Sequence, residues 1–176
     1  KKMLAAKQQY EKSPSVALEK EISRCNNIQM AKKIQLNSAY GAIGNQYFRY
    51  YKLANAEAIT LSGQVSIRWI EMRMNGYLNK LLQTEGEDYV IASDTDSIYL
   101  NLGPLVSKFF SNISDDKTKV VGILDQICED KLEPFIEQSY QNLADYVSAY
   151  EQKMFMKREN IADRGIWTAK KRYILN

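Results

Sequence analysis

The chain has 176 residues, enough for one domain or two small ones, and its 24 Lys and Arg against 21 Asp and Glu leave a net charge of only +3. At 45% hydrophobic and 26% charged residues it is composed like an ordinary globular protein, not a collagen or a disordered tail. No apolar run nears the ~20 residues that a membrane span requires.

Cys25 and Cys128 are too few for a disulfide framework or a Cys-rich zinc site and point to a reducing compartment. Histidine is absent, which excludes Ser–His and Cys–His nucleophile pairs and His-ligated metals. Catalysis would run on carboxylates, lysine, tyrosine or hydroxyls. The start at Lys1-Lys2-Met3, without a signal-peptide pattern, and the stop at Ile174-Leu175-Asn176 inside an expected strand read as a segment of a longer protein.

In chain order, residues 1–12 predict a charged helix broken at Ser13-Pro14-Ser15. Helical patterning resumes at Val16 and runs to about Gly44. The aromatic density of Gln46 to Leu53 predicts a strand. Asn55 is placed as the cap of a long helix reaching about Leu82. Its stripes Ile59, Gly63, Ile70, Met74, Tyr77, Leu81 and Leu61, Val65, Trp69, Met72 make it apolar over most of its girth, as suits a helix under a sheet. Gln64, Arg68, Glu71, Asn75 and Asn79 form its polar face.

Thr84 to Asp88 reads as a turn. Tyr89 to Ala92 and Ser97 to Leu102 read as strands joined through Ser93-Asp94-Thr95-Asp96. Gly103-Pro104 opens a short helix to about Phe110, and residues 111–118 form a polar loop. Helices follow over 119–150, with Pro134 a kink or a new start. Met154 to Ile161 and Gly165 to Leu175 are two further expected strands. There are no internal repeats.

Asp94 and Asp96 are the most informative pair. Two carboxylates two apart at a hairpin tip project to one side and repel unless a cation lies between them, and hard oxygen donors select Mg²⁺ or Mn²⁺. The pair cannot fill an octahedral shell, so phosphates, water or further carboxylates must complete it. Asp also favours solvated turns, but apolar strands on both sides favour a phosphate-handling metal site. Asp-x-Asp occurs in sugar-nucleotide transferases too, so it names a metal and not a reaction.

On the helix from Val16, Lys33, Asn37, Tyr40 and Gly44 fall within about 60° of one another. A cation, an amide, an aromatic plate and bare backbone on one stripe, with Ile34 and Ile43 as anchors beside it, make a nucleotide-binding face. The two glycines, Gly41 and Gly44, each cost a helix about 1 kcal/mol against alanine and argue for function.

Taken together, Lys33-x-x-x-Asn37-Ser38-x-Tyr40-Gly41, then Asp94-Thr95-Asp96-Ser97, then Lys170-Lys171-Arg172-Tyr173 resemble, in order, three motifs of the family B (replicative) DNA polymerases. The stretches Gly44 to Tyr51 and Met154-Phe155-Met156 resemble the tailed-phage branch, cyanophages in particular. The resemblance implies an α+β fold: an antiparallel palm sheet packed on long helices, with a helical fingers projection. Residues 1–45 would be the C-terminal part of the fingers and 46–176 an incomplete palm.

It further implies that Lys33 and Asn37 contact the triphosphate of the incoming deoxynucleotide, and that Tyr40 and Gly41 pack against the nascent base pair. Asp96 would ligate metal directly, Asp94 less directly, and Lys170 to Tyr173 would touch primer DNA near its 3′ end. Two Mg²⁺ ions (or Mn²⁺), primer-template DNA, deoxynucleoside triphosphates, a sliding clamp and other replication proteins, and the cytoplasm of an infected bacterial host follow from the same resemblance; no membrane does.

The chain departs from the family's Tyr-Gly before Asp-Thr-Asp by having Ala92-Ser93, a strain at Ser93 if that position needs φ > 0. It has no match to the upstream palm aspartate motif Asp-x-x-Ser-Leu-Tyr-Pro-Ser, so the segment alone is expected to be inactive. The rival expectations are a metal-dependent sugar-nucleotide transferase using Asp94 and Asp96, which leaves the Lys33 helix without a role, and a non-catalytic nucleic-acid-binding module.

Overall fold

A computed structural model describes residues 2–111, 116–169 and 171–176. The chain divides into two compact units, Lys1–Thr60 and Leu61–Asn176.

In the first unit, α1 (Lys2–Lys12) and α2 (Val16–Ile43) flank the Ser13-Pro14 break. Ser15 caps α2 in extended conformation, its hydroxyl accepting from Leu18 N–H at 3.3 Å. Beyond α2 the expected strand over Gln46 to Leu53 is absent. Asn45 instead organises a series of tight turns: its side chain accepts from Tyr47 N–H at 3.0 Å and its carbonyl from Phe48 N–H at 2.9 Å. Tyr51 N–H then bonds Phe48 O, and Lys52 N–H returns to Ile43 O. Backbone groups spent on local turns are not available to a ladder, and aromatic content alone did not make a strand. The next helix, α3 (Leu53–Leu82), starts two residues before the expected cap, and Asn55 lies inside its first turn with its N–H on Lys52 O.

In the second unit, α3 carries the core. Ile70, Met74 and Leu78 are fully buried and Leu82 nearly so, a four-residue spacing that follows one side of the helix. Each such side chain contributes about 1.5–3 kcal/mol of hydrophobic stabilisation. The apolar girth is less used than the pattern predicts: Leu61, Val65, Met72 and Leu81 are exposed. Ile70 and Met74 pack with Val90, Cys128, Leu132, Ile136, Tyr140 and Leu143. Leu78 and Leu82 pack with Tyr89, Leu105 and Leu124. The helix therefore lies against other helices as much as against strands, and Trp69 Nε1 donates to Ser139 O at 2.9 Å.

Those partners are β1 (Val90–Asp94), β2 (Ser97–Leu100), α4 (Gly103–Phe109), α5 (Lys117–Ile127) and α6 (Glu133–Tyr146). Residues Cys128–Leu132 join α5 to α6 as a π-helical turn. Proline at 134 cannot donate to the carbonyl one α-turn back, and the wider turn just before it accommodates that missing bond, so the two helices run on.

The expected strand over Met154 to Ile161 does not form. This stretch is held by side chains instead: Met156 and Ile161 reach the two core clusters, Arg158 pairs with Asp125, and Arg158 N–H donates to Glu133 at 3.0 Å. Gly165 to Leu175, expected as one strand, is a hairpin of β3 (Gly165–Ala169) and β4 (Arg172–Leu175), with Lys171 at φ 62° in the turn. The fold is thus mixed α and β as expected, but among the described residues its strands form two separate antiparallel hairpins, β1–β2 and β3–β4.

Candidate active site

The β1–β2 hairpin pairs Asp94 with Ser97, so the connection is Thr95-Asp96 alone, two residues shorter than the loop the sequence predicts. Thr95 sits at φ 54° and Asp96 N–H reaches back to Asp94 O at 2.6 Å, a γ-turn. A β-branched residue in that region stores about 1–3 kcal/mol of strain. The strain foreseen for Ser93 does not arise, because its φ is not positive. It lies two residues further on, between the two acids.

Asp94 is half-buried and tied in place. Thr95 Oγ1 donates to its Oδ1 at 2.9 Å, Ser97 Oγ donates to its carbonyl at 3.1 Å, and Lys171 Nζ stands 3.9 Å from Oδ1. Asp96 is exposed and, among the described residues, its carboxylate makes no hydrogen bond or ion pair. It lies near Tyr140, whose phenol is raised above its ordinary pKa mainly by burial and further by the charge of Asp96.

As metal donors the two carboxylates are of the right kind, hard oxygens on a fixed turn, but too few. No group of three or more Asp, Glu, Cys or His side chains able to hold an ion occurs among the described residues.

The basic hairpin lies beside the acidic one. The Tyr99 ring meets Trp167 at 5.4 Å and Tyr173 at 5.3 Å between centroids, both edge-on, while Trp167 and Tyr173 form a directly opposed cross-strand pair. A polar interaction with the Tyr173 phenol, and burial next, raise the Tyr99 pKa, opposed by the Ser97 hydroxyl. Of the predicted DNA-contacting residues, Lys171 is in the turn, while Arg172 and Tyr173 begin β4. Lys170 lies outside the described residues.

In the other unit, Lys33, Asn37, Tyr40 and Gly41 lie in the C-terminal half of α2, all exposed. A Cβ added at Gly41 would meet nothing within 4 Å, so its backbone is open to close approach. Ile34, expected as an anchor, is exposed as well, and Ile43 is half-buried.

Sequence reasoning missed the residues that hold β1 on α3. Asn75 Oδ1 accepts from the N–H groups of both Tyr89 and Val90, at 2.9 and 3.0 Å, and its Nδ2 donates to Asp88 at 2.7 Å. Asn79 does the same for the preceding turn, bonding Glu87 N–H and O and Thr84 Oγ1. Two asparagines four apart in a helix interior, where their propensity is poor, are the signal that the pattern offered.

Comparison with known proteins gives the family. The family model described as "DNA polymerase family B" matches residues 1–143. The chain is 42% identical over 166 residues to the DNA-directed DNA polymerase of Enterobacteria phage T4, covering 90% of this chain and 18% of that protein. It is 41% identical over 156 residues to the DNA-directed DNA polymerase of Escherichia phage RB69, covering 84% of this chain and 17% of that protein. The chain thus spans less than a fifth of the length of these relatives, and it belongs to DNA polymerase family B.

Proposed function

We propose that the protein containing this chain carries out template-directed DNA synthesis, transferring a nucleotidyl group from a deoxynucleoside triphosphate to a primer 3′-hydroxyl. The observation that carries this reading is the apposition in one unit of the acidic and basic hairpins: Lys171 at 3.9 Å from Asp94, with Tyr99 packed on Trp167 and Tyr173. A turn that offers acids for a cation beside a turn that offers cations to a phosphate backbone is what a primer terminus needs. Family membership supplies the reaction.

On this reading Asp96, open to solvent, is the direct metal ligand and Asp94, engaged by Thr95 and near Lys171, the lesser one. Divalent ions, Mg²⁺ or Mn²⁺, bound there would activate the 3′-hydroxyl and stabilise the leaving pyrophosphate. Lys33 and Asn37 hold the triphosphate, and Lys33 offers positive charge, and a proton, to the departing phosphates. Tyr40 and Gly41 lie against the new base pair. Lys170, Lys171, Arg172 and Tyr173 hold the primer strand near its end.

Residues 1–45 belong to the fingers and 46–176 to the palm. The second palm aspartate is supplied elsewhere in the intact polymerase, so this segment does not polymerise alone. A sliding clamp would engage other regions, and the enzyme would act in the cytoplasm of the infected bacterium. Among the described residues no helix is long and apolar enough to cross a membrane.

The test is a titration of Mg²⁺ or Mn²⁺ into the intact protein with primer-template and one deoxynucleotide. Template-directed extension that requires the metal supports the reading. Sugar-nucleotide turnover without template would replace it with the transferase, and salt-sensitive DNA binding indifferent to metal would replace it with a binding module.

A further inference from the structure

Tyr99 has no part in the chemistry just described, yet it is the side chain on which the two hairpins meet. It follows the acidic turn on β2, and its ring edge enters the face formed by Trp167 on β3 and Tyr173 on β4. Gly165 makes that face possible. A Cβ there would come within 2.6 Å of the Trp167 ring, so only glycine leaves the indole room to lie over the start of β3. Among the described residues the strands of the two hairpins share no ladder. Packing of Tyr99 is therefore a main link between them, and the exposed Lys171–Asp94 approach is too weak to fix their relation by itself.

We propose that Tyr99 is a positioning residue: packed edge-on against both Trp167 and Tyr173, it holds the basic turn so that Lys171 stands beside Asp94, and so sets where a primer end lies relative to the acidic pair. The inference rests on the function proposed above. The ring carries the effect, through its two edge-on contacts. Removing the ring frees the basic hairpin to shift against the acidic one. A displacement of about 1 Å at a reacting centre lowers rate by up to about 100-fold.

The experiment uses the intact polymerase, measuring single-turnover extension of a primer-template across a range of deoxynucleotide concentrations. Tyr99→Ala should lower the maximal rate about 10- to 100-fold while leaving the nucleotide concentration for half-maximal rate unchanged. Tyr99→Phe should restore the rate to within about threefold, since it keeps the packing. Trp167→Leu, which opens the same contact from the other hairpin, should reproduce the defect, and it serves if Tyr99→Ala does not fold. The Lys171→Ala loss should shrink in the Tyr99→Ala background, because the lysine is then already displaced.

Strictly additive losses, or a Phe variant as slow as the Ala variant, would overturn the proposal. So would wild-type extension by Tyr99→Ala while Asp96→Ala is dead, and that outcome leaves the polymerase reading standing. If Asp96→Ala also extends normally, the reading of the site has failed with it.

Discussion

Asn75 offers a direct way to perturb the placement of the acidic hairpin without touching the acids. Its Oδ1 receives two backbone N–H groups, those of Tyr89 and Val90, at the entry to β1, and both residues are buried. In Asn75→Ala, Val90 N–H keeps a fallback acceptor in Asp88 Oδ1 at 3.2 Å, whereas Tyr89 N–H is left without one. One orphaned buried donor costs about 1–3 kcal/mol, which would speed local opening of this strand roughly 10- to 100-fold.

Amide hydrogen exchange on the intact protein, followed in the peptide covering residues 84–100, reads that change directly. Asn75→Asp separates the two halves of the bond. It keeps the acceptor but sets a carboxylate where an amide now donates to Asp88 at 2.7 Å. That variant should be destabilised near pH 7 and recover towards pH 5 or below, as the two carboxyls come to share a proton in the folded state. Unchanged protection of residues 84–100 in Asn75→Ala would refute the claim that α3 positions the hairpin through this side chain.

Other outcomes follow from the same geometry. Met74→Ala, at a fully buried site, should destabilise the protein by about 2–5 kcal/mol in denaturant unfolding, while Met72→Ala, exposed two residues away, should change it by less than about 0.5 kcal/mol. Tyr140 has its folded pKa raised above 10.0, by burial first and the Asp96 charge second, so its contribution is complete below about pH 10 and is lost as pH rises through the folded value. Tyr140→Phe should therefore flatten the alkaline fall in stability, measured as melting temperature against pH. Lys33→Ala in the intact polymerase should raise the nucleotide concentration needed for half-maximal incorporation, with primer-template affinity unchanged.

Much of this was legible where one period governed a long stretch. The helix boundaries at Lys12, Val16 and Leu82, the short helix after Gly103-Pro104 and the turn before β1 follow from caps, breakers and spacing. The failures share a cause. Gln46 to Leu53 and Met154 to Ile161 have strand-like composition, but the first spends its backbone bonds in turns around Asn45 and the second is pinned by Arg158, Met156 and Ile161. Strand propensity expresses a packing environment, and composition does not supply the partner.

Lys171 hid a turn because lysine gives no turn signal, although it adopts a left-handed conformation there. At the site, the acidic turn was readable from Asp94 and Asp96. The roles of Asn75 and Tyr99 were not, since each acts on residues 13 or more positions away.

If the exposed Asp96 carboxylate serves a bound cation and not the fold, its loss should show in catalysis alone. The decisive experiment is single-nucleotide incorporation by intact Asp96→Ala polymerase, with duplex affinity and melting temperature measured on the same preparation. Incorporation should be abolished while primer-template binding and melting stay close to wild type. Incorporation near the unmutated rate, in a variant that binds the duplex normally, would contradict it.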